Sequence, residues 1–141
     1  MTAKEYLSQV HRLDSLIGSD LEELARLRAL SESISSPVLG SEPNPSRSTE
    51  AGFVKSVLKI AELEEKIGAE VAKLVKLKDQ VRTTIDTVPT KEEKLVLKYR
   101  YILGWTWYQI GSELIADEST VRRWHTSALE HVRLPKKPVQ I

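Results

Sequence analysis

The sequence has no cysteine. Disulfides, thiolate metal sites and thiol nucleophiles are therefore excluded, and the composition suits a reducing cytosol. No run approaches the roughly 20 apolar residues that a membrane span needs, so no membrane partner is expected. The opening Met1-Thr2-Ala3-Lys4-Glu5 turns polar and charged at once and does not read as a signal peptide. There is no glycine-rich phosphate loop, no serine-centred elbow and no isolated acidic pair in an apolar setting. His11, His125 and His131 have no metal-ligand spacing with one another or with a carboxylate motif. No enzymatic activity, cofactor or metal is expected.

What is present is charge and helical periodicity. Of 141 residues, 40% are hydrophobic and 29% charged, the balance of a soluble helix-rich protein. The net charge of +1 divides unevenly at Pro89. Residues 1–88 hold 12 Lys+Arg against 14 Asp+Glu, and residues 89–141 hold 9 against 6. The basic part is the C-terminal part, which is where a nucleic-acid partner would be met.

Thr2 and Glu5 form a capping box that opens a long helix over about 2–34. Val10, Leu13, Ile17, Leu24, Leu27 and Ile34 recur at spacings of three and four, with Asp20 and Ser31 as polar interruptions. That is a coiled-coil seam along a rod of roughly 48 Å. Pro37, Pro43 and Pro45 then break the pattern over 35–48. This stretch reads as a flexible loop, with a partner-binding strip at Val38-Leu39 as the alternative. A second helix follows over about 49–87, with Phe53, Val57, Ile60, Leu63, Ile67, Val71, Leu74, Val81 and Ile85 in its stripe and Glu64 and Lys78 interrupting it. The two stripes predict an antiparallel hairpin, and a homodimer through its remaining apolar edge. With the loop midpoint near residue 41 or 42, Gly18 falls near the level of Gly68 and Asp20 near that of Glu64. The paired glycines predict either close backbone approach or two tolerated surface positions.

Pro89 ends the second helix. Beyond it, three helices are marked by caps: Thr90 with Glu93 for one ending at Gly104, Thr106 with Gln109 for one running to about Ile115, and Asp117 for one continuing to Pro135. Leu95, Tyr99, Ile102, Ile110, Leu114, Val121, Trp124, Ala128 and Val132 form the expected inner faces, with Gly111 where two helices cross closely. The link Ile115-Ala116-Asp117 is short enough for a helix-turn-helix. Trp107 is expected to pack partly on this core and Trp105 to be exposed for a protein contact. The expected architecture is all-α: a helical hairpin, 1–88, followed by a three-helix helix-turn-helix domain, 89–141.

Leu97-Lys98-Tyr99-Arg100-Tyr101, Gly104, Thr106, Gln109-Ile110-Gly111, Val121 and Ala128-Leu129 resemble region 4 of sigma-70 family factors. The whole chain is similar to phage and prophage proteins of Gram-positive bacteria that join a helical hairpin to such a domain, kin to RinA-like and ArpU-like transcriptional regulators. The opening through Leu7 and the stretch from Ala29-Leu30 to Pro37 carry that similarity beyond the C-terminal third. The resemblance implies a cytoplasmic regulator in a bacterial host, double-stranded DNA as partner, and contact with RNA polymerase. It implies that Glu118, Ser119, Arg122 and Arg123 face bases and phosphates; His125, which follows the helix face after Trp124, is read as a phosphate or surface residue, and Thr106 as a further DNA contact. Ile115 stands where glycine is common in this turn, and a β-branched residue resists positive φ, so a turn of different shape is expected. Small terminase subunits, which package phage DNA, also join a helix-turn-helix to oligomerising helices. A polymerase- or sigma-binding protein that never touches DNA is a third reading.

Overall fold

A computed structural model describes the backbone of residues 1–35 and 47–141 and the side chains of residues 1–33 and 52–141. The loop expected over 35–48, with its Val38-Leu39 strip, falls almost wholly outside the described residues. The chain is all-α, with no strand among the described residues: α1 (Ala3–Ser35), α2 (Arg47–Asp86), α3 (Lys91–Leu97), a π-helical turn (Lys98–Ile102), α4 (Trp107–Leu114) and α5 (Glu118–His131).

The chain forms two compact units, one of Met1–Asp14 with Ala72–Ile141 and the other of Ser15–Val71. This differs from a division at Pro89. The base of the hairpin and the C-terminal helices share polar links as well as sequence proximity. Lys98 pairs with Asp86 at 3.1 Å. Two glutamines, Gln9 on α1 and Gln80 on α2, hold the extended tail that follows α5. Gln9 donates to Val139 O at 2.8 Å and accepts from Ile141 N at 3.1 Å. Gln80 donates to Lys137 O at 2.9 Å and accepts from Val139 N at 2.8 Å and from the Tyr6 hydroxyl at 2.7 Å. Tyr6, Leu7, Val10, Leu77, Val81, Ile85 and Val88 are all buried in this unit.

α1 begins as expected: Glu5 N donates to Thr2 Oγ1 at 3.1 Å and Thr2 N to Glu5 Oε2 at 3.0 Å. In the unit Ser15–Val71, Ile17, Asp20, Leu24 and Ser31 are the buried side of α1, and Ser56 and Ile67 lie on the buried side of α2. Ser56 tolerates burial because its hydroxyl donates to Gly52 O at 2.9 Å. Arg28 meets Glu64 at 2.6 Å and Asp20 meets Lys66 at 3.5 Å, so the helices run antiparallel. Asp20 lies against Lys66 and Glu70 rather than Glu64, a displacement of about one turn from the expected register. A Cβ built on Gly18 or Gly68 meets nothing within 4 Å. These are surface glycines and no backbones approach there.

Phe53, Val57 and Val71, expected in the buried stripe, are exposed by 39%, 43% and 42%. α2 carries two apolar stripes, and the pairing with α1 covers only the one that includes Ile67. The other, with Phe53, Val57, Val71 and Val75, remains open. Burial of α2 as two overlapping stripes was not separable by counting spacings.

Within the other unit, α5 packs against both α3 and α4. Val96, Ile110 and Val121 are fully buried, with Tyr99, Trp105, Trp107, Leu114, Ala116 and Trp124 partly buried around them. The buried face of α3 holds Glu93, Val96 and Leu97 rather than Leu95, while Tyr99, in the π-helical turn, packs against the core as expected. Glu93 sets that face: its carboxylate accepts from the Ser127 hydroxyl at 2.7 Å and lies 2.8 Å from His131 Nδ1, both near the end of α5. Burial pushes the Glu93 carboxyl up, but those two hydrogen bonds and the His131 charge outweigh it and hold the group below its ordinary value. The expected Thr90–Glu93 capping box is therefore absent, since Thr90 caps with no side-chain bond. α5 stops at His131 rather than Pro135, with Val132 already extended.

Candidate nucleic-acid interface

The link between α4 and α5 is built from three local devices. Thr106 opens α4 with a complete capping box: Gln109 N donates to Thr106 Oγ1 at 3.2 Å and Thr106 N to Gln109 Oε1 at 2.9 Å. At the far end, Ile115 adopts φ 53, ψ 53, and Ala116 N donates back to Gly111 O at 2.9 Å. The turn thus keeps a left-handed residue despite the β-branched side chain, so its shape does not depart in the way expected from Ile115. Gly111 is required by the same turn. A Cβ there would lie 2.6 Å from Ala116 O, so the close approach is to the turn's own carbonyl rather than to a crossing helix.

Asp117 then opens α5. Its carboxylate accepts from Thr120 N at 3.3 Å and from the Thr120 hydroxyl. Those bonds favour the ionised form and hold the Asp117 carboxyl below its ordinary value. Buried Val121, His125 and Ala128 hold one side of α5 inward. Glu118, Ser119, Arg122, Arg123 and Thr126 are exposed on the others. Glu118, Ser119, Arg122 and Arg123, expected from the sequence, therefore lie exposed on the first turns of α5, whereas His125 does not.

Two of them carry internal links. Arg122 lies 3.7 Å from Glu118 one turn earlier, both about half exposed. Arg123 donates to Thr120 Oγ1 at 3.2 Å, and so joins the Asp117 cap. Exposed pairs of this kind contribute little to stability and exchange readily for another anion. Thr106 is exposed, but its hydroxyl is engaged in the α4 cap.

His125 is a correction. It is 8% exposed, and a 2.6 Å hydrogen bond joins its Nε2 to the Tyr101 hydroxyl. The Trp107 ring meets it edge-on with centroids 4.8 Å apart. Burial, then the positive charges of Arg100 and Lys4, push its pKa down to about 4. A neutral buried ring cannot serve as a surface phosphate contact. The spacing held the signal: position 125 falls between 121 and 128 on the apolar side of α5.

The aromatic cluster also differs from expectation. Trp105 is half-buried rather than exposed, and it stacks on Tyr99 with centroids 4.3 Å apart and an interplanar angle of 3°. Arg100 braces both tryptophans: its guanidinium sits 4.2 Å over the Trp107 ring and donates to Trp105 O at 2.9 Å. Tyr108 is 71% exposed. Sequence reasoning missed the Arg100–Trp107–His125–Tyr101 assembly, because the π-helical turn at Lys98–Ile102 takes Arg100 and Tyr101 out of the regular helical period.

Among the described residues no group of histidines and carboxylates is arranged to hold a metal ion. Among them no helix is long and apolar enough to cross a membrane. No protein-family model, curated protein or solved structure matches the chain.

Proposed function

We propose that the protein is a sequence-specific double-stranded DNA-binding transcription regulator, an activator of the phage or prophage late-gene type, acting through α5. The observation that carries this reading is the α4–turn–α5 unit, whose left-handed Ile115, tight Gly111 and Asp117 cap fix a helix with Ser119, Arg122 and Arg123 exposed near its start. A rigidly capped helix with exposed arginines in its first turns suits entry into the major groove, where arginine reads guanine or binds phosphate. The likeness of Leu97–Tyr101, Gln109-Ile110-Gly111 and Ala128-Leu129 to sigma region 4 supports the same reading, and with it a contact with RNA polymerase.

The test is affinity for a selected and a random duplex at several salt concentrations, for the parent, Arg122→Ala and Arg123→Ala. A guanine-reading arginine costs about 1–3 kcal/mol on the selected duplex and relaxes one base pair. A phosphate-binding one weakens both duplexes and lowers the salt slope by about one. If the double variant binds both duplexes as the parent does, α5 is not the reading element.

A DNA-packaging subunit of the small-terminase kind is the second reading, favoured by the open apolar stripe of Phe53, Val57, Val71 and Val75 on α2. That stripe also supports self-association through the hairpin. Sedimentation separates the two: a dimer fits regulation, and a ring of many subunits fits packaging.

A further inference from the structure

A cavity of about 400 Å³ in the unit formed by Met1–Asp14 and Ala72–Ile141 has an unusual lining. Lys4 and Arg12 come from the start of α1, Arg100 and Tyr101 from the π-helical turn, Trp107 from α4 and His125 from α5. No carboxylate lines it. Among the described residues none of the three cations is ion-paired. Three uncompensated positive charges facing one concavity repel one another, and aromatic walls raise that cost by excluding water. Such an arrangement is stabilised by an anion between the cations.

We propose that this cavity is a binding site for a small phosphorylated ligand of about mononucleotide size. The size falls within the usual range of small-molecule sites, roughly 300–1,000 Å³. The exposed guanidinium of Arg12 can meet phosphate oxygens in the bidentate geometry that favours arginine at phosphate sites, while Arg100 adds a fixed charge and Lys4 a mobile one. Trp107 lies under the Arg100 guanidinium and edge-on to His125, and Tyr101 is buried, so these rings wall the cavity apolarly and leave recognition to the phosphate group. A free ligand is favoured over a duplex backbone because Arg100 is tied inward, onto the Trp107 ring and the Trp105 carbonyl, and cannot extend to a strand lying outside. This site is distinct from the exposed face of α5 and does not depend on the DNA-binding reading.

The experiment is calorimetric titration of the full chain, without DNA, using inorganic pyrophosphate, adenosine 5′-monophosphate and adenosine. Pyrophosphate and the monophosphate bind, adenosine does not, and the His125 ring resonances move on binding. Lys4→Ala and Arg12→Ala each weaken binding about tenfold, the loss of one charged hydrogen bond. Both side chains are exposed, so circular dichroism stays unchanged, and Lys91→Ala on α3 binds as the parent does. The proposal is overturned by no binding at millimolar anion, by equal affinity for adenosine, or by variants that bind like the parent. It is also overturned if the two variants lose only duplex affinity, because a strand phosphate is then the occupant. Failure of Arg122→Ala and Arg123→Ala to alter DNA binding leaves the proposal untouched, so the two readings fail separately.

Discussion

Ile115 is an isoleucine held at φ 53, ψ 53 with 94% of its surface exposed. Its side chain therefore gives almost nothing in burial, while its backbone sits where an L-residue costs about 1–2 kcal/mol, and a β-branched one falls toward the upper end. Glycine removes that strain but gives back about 0.5–1 kcal/mol through the greater freedom of its unfolded chain. The expected outcome for Ile115→Gly is a net stabilisation of about 0.5–1 kcal/mol, and ~3 °C in Tm. Ile115→Ala keeps a Cβ at the strained position and is expected to change stability by less than about 0.5 kcal/mol. Urea unfolding followed by tryptophan fluorescence suits the question, because Trp105, Trp107 and Trp124 all lie between Pro89 and the end of the chain. The m-value should be unchanged, since neither variant alters the surface buried. A glycine variant less stable than the parent by more than about 0.5 kcal/mol would refute the reasoning. Side-chain contacts of Ile115, and not backbone strain, would then govern the turn. If the glycine variant is more stable yet binds its target less well, the strained residue is kept for what its exposed side chain touches.

Two further expectations concern titration. His125 is neutral in the fold with a pKa near 4, and ordinary near 6.5 when unfolded. The unfolded chain therefore takes the proton first, and stability present above pH 6.5 is lost as pH falls toward 4. Full linkage gives about 2 kcal/mol by pH 5, and water at the cavity mouth reduces that to about 1. His125→Gln, which can still accept the Tyr101 hydroxyl, should flatten this part of the unfolding profile; an unchanged slope between pH 7 and 5 sinks the assignment. Glu70 behaves oppositely: its two carboxylate oxygens are buried without a hydrogen-bond donor. Burial first, then the adjacent Asp20, raises the Glu70 pKa, with Lys66 offsetting part of the effect. The folded chain holds that proton more tightly, so stability falls as pH rises above the ordinary carboxylate range. Glu70→Gln should melt higher than the parent at pH 7 and converge with it near pH 4, and a lower melting point at pH 7 would contradict this.

The parts of the fold legible in the sequence were those fixed by local backbone chemistry. The capping signals at Thr2, Thr106 and Asp117 mark helix starts because the bonds involved span only three residues. The antiparallel hairpin followed from two long periodic segments separated by prolines. Long-range competition for side chains was not legible. Thr90 and Glu93 have the spacing of a capping box, but Ser127 and His131, more than thirty positions away, take the Glu93 carboxylate. On α3, Val96 and Leu97 are buried where the spacing predicts Leu95, while Tyr99 packs inward as its spacing implies. On α2 the counting merged two stripes, because Phe53 and Val57 satisfy apolar periodicity as well as Ile60 and Leu63 do. Of the candidate recognition residues, five lie on accessible surface and one does not. The position of His125 between Val121 and Ala128 on the apolar side of α5 turns it inward, against the expectation of a surface residue.

The two glutamines that hold the tail have a consequence for which substitutions the chain tolerates. A primary amide presents one donor edge and one acceptor edge, like a peptide group, so Gln9 and Gln80 pair with the tail much as a neighbouring β-strand would. They address N–H and C=O groups, which every residue but proline carries. Lys136, Lys137 and Gln140 are thus free to vary among homologues, whereas proline at 139 or 141 would delete a donor that a glutamine oxygen accepts. The specificity of this attachment resides in α1 and α2, about sixty and one hundred and thirty positions upstream of the segment they hold. Replacing either glutamine by glutamate keeps the length but removes the donor edge. Related chains are therefore expected to keep an amide at these two helix positions while their C-terminal residues drift.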